Sequence, residues 1–119
     1  MRIFVVDDDA SLRGFVKRWL AARTPHDVRV FESGEEAVQA LAALSPNLVL
    51  TDLGMPGVSG EEVARAAARL PNRPRIVLMS GDPVRLEHAR DLAEATLAKP
   101  FSITDLMSVL GAAPDFAGC

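Results

Sequence analysis

The sequence predicts an α/β domain: a single doubly wound, five-stranded parallel sheet with helices on both faces. Three observations predict it. Short apolar-rich runs recur at residues 3–6, 28–31, 48–50, 76–79 and 95–98, as expected for strands covered on both sides. Segments with apolar residues at helical spacing lie between them. Gly, Pro, Asn and Ser interrupt the chain at nearly every junction. Five strand–helix alternations imply a parallel sheet with helices on its faces. Right-handed crossovers make such a sheet doubly wound.

The first strand, residues 3–6, ends in Asp7-Asp8-Asp9. Leu12, Phe15, Val16, Trp19 and Leu20 then form one wide apolar stripe, a helix that ends by Thr24-Pro25-His26-Asp27. After the second strand, Ser33-Gly34-Glu35-Glu36 reads as a capping box. It opens a helix with Ala37, Ala40, Leu41 and Leu44 on its face, and Ser45-Pro46-Asn47 stops that helix. The third strand runs into Asp52, and Gly54, Pro56, Gly57 and Gly60 break regular structure behind it. Ser59-Gly60-Glu61-Glu62 is a second capping box, with Val63, Ala66, Ala67 and Leu70 facing the sheet. The fourth strand ends at Ser80-Gly81, and Asp82-Pro83 supplies an N-cap and a proline at the first helical position. The following helix, with Val84, Leu86, Ala89, Leu92 and Ala93, has the weakest periodicity in the chain. The fifth strand ends in Lys99-Pro100-Phe101, and Ser102 caps a last helix with Ile103, Leu106, Met107 and Leu110 on one face. Residues 1–110 read as the domain and 111–119 as a flexible C-terminal tail.

At 119 residues the chain has the length of one domain. A net charge of −3 argues against direct nucleic-acid binding. The one cysteine, Cys119, is the last residue and forms no internal disulfide, which favours a reducing compartment. No signal-peptide pattern and no membrane-length apolar run are visible. A cytoplasmic protein without membrane association is the expectation.

The chemistry collects behind the strands. Asp7 and Asp8, Asp52, Ser80 and Lys99 all follow a strand end. They converge on one rim if strands one, three, four and five are neighbours. Each has an ordinary alternative: Asp7–Asp9 as acids at a helix N-terminus, Asp52 as a turn aspartate, Ser80 as a turn cap, and Lys99 as a surface lysine. Taken together, four strand ends with complementary chemistry favour a site. Crowded carboxylates repel each other, and a hard divalent cation offsets this. Mg2+ takes oxygen ligands, often one or two carboxylates plus a phosphate. Asp8, Asp52 and the Gly54 carbonyl are the expected protein ligands. A carboxylate is also a nucleophile toward phosphorus, and Asp52 is best placed for that. Ser80 and Lys99 would hold the phosphoryl oxygens, and Gly81 leaves room for them. Catalysis of this kind is mostly positioning and charge stabilisation.

These residues resemble the receiver domain of bacterial two-component response regulators. Residues 3–9, Ile-Phe-Val-Val-Asp-Asp-Asp, are similar to its first-strand acidic motif. Residues 50–60, Leu-Thr-Asp-Leu-Gly-Met-Pro-Gly-Val-Ser-Gly, are similar to its phospho-acceptor loop. Met79-Ser80-Gly81 resembles its hydroxyl-bearing strand end and Lys99-Pro100-Phe101 its lysine motif. The resemblance spans Met1 to about Leu110. It implies a flavodoxin-like sheet of order 2-1-3-4-5 and a phosphorelay role. Asp52 would accept a phosphoryl group from a histidine kinase or histidine phosphotransfer protein. Asp8 would hold Mg2+ directly and Asp7 mainly through water, while Ser80 and Lys99 bind the phosphoryl oxygens. It also implies a cis Lys99–Pro100 bond and a switch acting on the surface of the fourth helix, fifth strand and fifth helix.

Two features depart from the family pattern. Thr96 stands where an aromatic switch residue is usual, and the chain has no Tyr. The segment from Ser80 to Lys99 is also short, so phosphorylation with atypical output is expected. Gly54 and Asp82 flank the phosphate position, where Asp82 either orients a water, repels one, or only caps its helix. The leading expectation is a signalling domain rather than an enzyme, catalysing only its own phosphorylation and dephosphorylation. It would act as a monomer or weak homodimer on an unidentified effector, standing alone or as part of a longer regulator. The alternatives are an unphosphorylated protein–protein interaction module of the same fold and, last, a small magnesium phosphohydrolase.

Overall fold

β3 (Leu48–Asp52) is the central strand of a five-stranded parallel sheet, and all five of its residues are buried. The structure, a computed structural model, describes residues 2–23 and 26–110. β1 (Arg2–Val6) and β2 (Asp27–Phe31) lie to one side of β3, and β4 (Arg75–Ser80) and β5 (Ala95–Ala98) to the other. The order is β2-β1-β3-β4-β5, as the family resemblance implies.

The period-two pleat divides the core in two. Ile3, Val5, Leu48, Leu50, Val77, Met79 and Leu97 point to one face, where they pack with Val16, Trp19 and Leu20 of α1 (Ala10–Arg23) and Leu106 and Leu110 of α5 (Ile103–Leu110). Phe4, Val6, Val49, Ile76 and Leu78 point to the other, under α2 (Gly34–Leu44), α3 (Gly60–Ala68) and α4 (Pro83–Ala89). The strands are apolar on both sides because both sides are covered.

Local chemistry sets where the helices begin. Ser33 and Ser59 accept from the backbone N–H of Glu36 and Glu62, each at 3.3 Å. The reciprocal half of a capping box forms at α5, where the Asp105 carboxylate accepts from Ser102 N–H at 3.0 Å and Ser102 Oγ accepts from Asp105 N–H at 3.1 Å. Asp82 caps α4 through the N–H groups of Val84 and Arg85, with Pro83 in the first turn. Asp9 caps α1 through Ser11 and Leu12. α2 stops at Ser45, whose φ of 45° turns the chain left-handed.

Some expectations require correction. Phe15, Val84 and Met107, read above as apolar positions of their helices, are exposed. On α3 the fully buried alanines are Ala64 and Ala67, with Ala66 only half-buried. Spacing defines an apolar stripe but not how much of it the sheet covers. α4 is only seven residues long and passes into a 3-10 turn at Arg90–Leu92, consistent with the weak periodicity there. The proposed tail, residues 111–119, and Thr24-Pro25 lie outside the described residues.

Candidate functional site

Strand register builds the rim. Ile3 pairs with Leu48 and Val5 with Leu50. Continuing two residues along that register, on the same side of the pleat, brings Asp7 beside Asp52. Asp52 pairs with Met79, and Met79 with Leu97. Lys99 follows Leu97 by two residues and so projects from the same side. Three polar side chains that extend one apolar face therefore meet where that face runs out.

The contacts are close. Lys99 Nζ donates to Asp7 Oδ2 at 2.7 Å and lies 3.0 Å from Asp52 Oδ1. Asp7 is fully buried, and its other oxygen accepts from Asp9 N–H at 2.9 Å. Asp52 is 6% exposed, whereas Asp8 is open to solvent. Oxygens of Asp7, Asp8 and Asp52 all lie within 4.8 Å of one another. This all-oxygen set, with one member facing water, fits a hard divalent cation that retains part of its hydration shell. The donors present are thus those Mg2+ prefers.

Electrostatics reflect the crowding. Burial pushes the Asp7 carboxyl above its ordinary value; the hydrogen bonds from Lys99 and Asp9 oppose this, and the charge on Asp52 adds to it. Burial would lower Lys99, but its hydrogen bonds to Asp7 and then Asp52 outweigh that and hold it above the usual lysine range. Lys99 therefore remains an ammonium at neutral pH.

The other predicted site residues surround this group. Ser80 ends β4, next to the end of β3, and is buried; its Oγ accepts from Asp82 N–H at 3.0 Å. The Ser80 carbonyl accepts from Lys99 N–H at 2.9 Å, which ties β5 to the rim. The Lys99–Pro100 bond is cis. Gly54 flanks Asp52: a Cβ there would stand 3.8 Å from Asp52 Oδ2. A Cβ on Gly81 would meet nothing within 4 Å, so that side is open. Thr96 is apart from the rim, paired with Leu78 inside the sheet and half-buried.

Other features were not read from the sequence. Arg85 in the first turn of α4 forms a two-pronged pair with Glu61 of α3, Nε to Oε2 at 3.0 Å and Nη2 to Oε1 at 2.9 Å. The hydrogen bond from Arg85 holds the Glu61 carboxyl below its ordinary value. Glu35, expected only in a capping box, accepts from Val58 N–H at 3.0 Å and so fastens the loop behind Asp52 to α2. An apolar cleft beside Lys99 is lined by Asp9, Leu12, Phe15, Pro100 and Phe101. The usable signal for Arg85 and Glu61 was their place in the first turns of two helices that both start at the rim.

Comparison with known proteins agrees with this architecture. The family model described as "Response regulator receiver domain" matches residues 3–111. The DNA-binding transcriptional regulator NtrC of Escherichia coli K12 is 31% identical over 111 residues, covering 91% of this chain and 24% of NtrC. The response regulator MprA of Mycolicibacterium vanbaalenii is 32% identical, covering 91% of this chain and 48% of MprA. The chain thus spans less than half the length of either relative. The response regulator TrrA of Thermotoga maritima, solved in complex with Mg(2+)-BeF, superposes with a TM-score of 0.83 at 28% identity, over 93% of this chain and 96% of that one. Among the described residues no helix is long and apolar enough to cross a membrane. With the sheet order, the rim and these matches in agreement, the chain belongs to the response regulator receiver domain family of two-component systems.

Proposed function

We propose that this receiver takes a phosphoryl group onto Asp52 from a phosphohistidine, with Mg2+ bound by Asp7, Asp8, Asp52 and the Gly54 carbonyl. The observation that carries this reading is the meeting of Asp7, Asp8, Asp52 and Lys99 in one cluster from three separate strand ends. When bound, the cation supplies positive charge to the reacting oxygens. A carboxylate oxygen of Asp52 attacks phosphorus; the phosphorus–nitrogen bond of the donor breaks, and its electron pair returns to the imidazole, which takes up a proton. Lys99 holds one phosphoryl oxygen. Ser80 is free to donate its hydroxyl to another, since its Oγ only accepts from Asp82. Asp7 orients Lys99 and lowers the cost of its burial.

The donor is a histidine kinase or a histidine phosphotransfer protein. The apolar cleft beside Lys99, where Phe15 is 37% exposed, suits such a partner because a docked helix there brings its imidazole to the rim. Output proceeds through an effector protein, without an aromatic residue at Thr96. TrrA, which superposes on this chain and was solved in complex with Mg(2+)-BeF, supports this reading.

Acetyl phosphate with Mg2+, followed by intact mass measurement, tests the proposal. The wild type gains one phosphoryl mass and Asp52→Asn gains none. No adduct and no turnover on the wild type would instead favour an interaction module that never carries phosphate. Rapid turnover without accumulation would favour a phosphohydrolase.

A further inference from the structure

The Arg85–Glu61 pair lies near the Asp52 carboxylate, across the gap at Gly54. A Cβ built on Gly54 would meet two atoms, Arg85 Nη1 and Asp52 Oδ2, each at 3.8 Å. The guanidinium and the carboxylate thus flank one missing side chain and are no further apart than twice that distance. Nε and Nη2 of Arg85 are engaged by Glu61, while Nη1 makes no hydrogen bond among the described residues. The free nitrogen is the one on the Asp52 side.

We propose that Arg85 is a phosphoryl-contacting residue, drawn from Glu61 toward an oxygen of the Asp52 phosphoryl group through the gap that Gly54 leaves. The proposal rests on Asp52 phosphorylation and adds a contact to that site. A phosphoryl group brings a charge of about −1.5 to −2 and three strong acceptor oxygens. Glu61 offers a single negative charge in a partly exposed pair, with side-chain exposures of 37% for Arg85 and 21% for Glu61. Such pairs hold weakly against a stronger competitor. The planar guanidinium matches phosphate geometry and has a donor to spare. Any side chain at Gly54 longer than alanine would fill the passage.

The contact also offers a route for output that needs no aromatic residue at position 96. Arg85 N–H is held by Asp82 Oδ1 at 3.3 Å, and Asp82 N–H by Ser80 Oγ at 3.0 Å. A pull on Arg85 and a pull on Ser80 therefore act on the same first turn of a seven-residue helix. Moving Arg85 also loosens α4 from α3.

A plain strut between α3 and α4 and a competition for Arg85 predict different signs. Binding of beryllofluoride with Mg2+, a phosphoryl mimic, is titrated by 19F NMR on wild type, Arg85→Gln, Glu61→Gln and the double variant. Competition predicts that Arg85→Gln weakens binding about tenfold, the size of one charge-assisted hydrogen bond. It predicts that Glu61→Gln tightens binding several-fold by releasing Arg85, and that the double variant behaves as Arg85→Gln. The Arg85 Nε–H signal of the wild type should shift on binding. A strut predicts that both single variants change affinity in the same direction or not at all, and either result overturns the proposal. Normal wild-type binding in that case leaves Asp52 phosphorylation standing. A wild type that binds no beryllofluoride and gains no phosphoryl mass would overturn both.

Discussion

Asp7 is held in place by opposing demands. It is fully buried, which disfavours its charge, yet its two oxygens accept from Lys99 and from Asp9 N–H, which favour the carboxylate. Its folded pKa is raised above the ordinary carboxylate value, because burial and the neighbouring Asp52 outweigh the help from Lys99 and Asp9. Between the ordinary value and the raised one, the folded chain binds more protons than the unfolded chain. Stability therefore falls as pH rises through that window. Asparagine removes the charge and keeps one acceptor oxygen for Lys99, giving up the weaker hydrogen bond from Asp9 N–H. Asp7→Asn should raise the melting temperature of the metal-free protein at pH 7, and raise it less as pH is lowered toward the ordinary carboxylate range. Thermal melts at several pH values check this; a gain that does not shrink on acidification would mean that charge crowding is not its source.

At the scale of elements, the join between β3 and α3 fixes where the Asp52 carboxylate sits. Gly60 opens α3 directly under the end of β3: a Cβ there would lie 2.1 Å from the Asp52 carbonyl and 2.7 Å from Leu53 Cα. Both are backbone atoms, so relief requires moving either the strand end or the helix. Gly60→Ala should therefore cost about 1–3 kcal/mol of stability, in the range of overpacked core substitutions, measured by urea unfolding. It should also lower phosphoryl uptake, whereas Gly81→Ala, with open space around it, should leave stability nearly unchanged. The elements themselves were legible because their signals are local. Ser33, Ser59, Asp82 and Ser102 each begin a helix where the sequence places one. The exposure of Phe15, Val84 and Met107 was not legible, because periodicity along a helix carries no information on where the sheet beneath it ends. The Arg85–Glu61 pair was hidden for a related reason: residues 24 apart meet only through the relative placement of α3 and α4.

At the scale of the whole molecule, the rim was legible because it is a consequence of the pleat. Asp7, Asp52 and Lys99 each lie two residues beyond a core residue of the same face, Val5, Leu50 and Leu97. A parallel sheet in this order therefore gathers them without any loop having to be guided. The same arrangement ties the rim to global stability. In the absence of a cation, the Lys99 ammonium and the nearby Arg85 guanidinium only partly offset Asp7, Asp8 and Asp52, so the end of the sheet carries residual repulsion. A cation that binds the folded rim and not the unfolded chain stabilises the whole domain by mass action. At ten times its dissociation constant, Mg2+ should add about 1.4 kcal/mol, a rise in melting temperature of about 5 °C for a domain of this size. Asp8→Asn removes the solvent-facing carboxylate without disturbing the Asp7–Lys99 contact, so it should keep the metal-free melting temperature or raise it, and lose most of the Mg2+ response. Differential scanning calorimetry with and without Mg2+ measures both quantities. An undiminished rise in Asp8→Asn would place the cation away from this rim, and with it the charge that phosphoryl transfer to Asp52 requires.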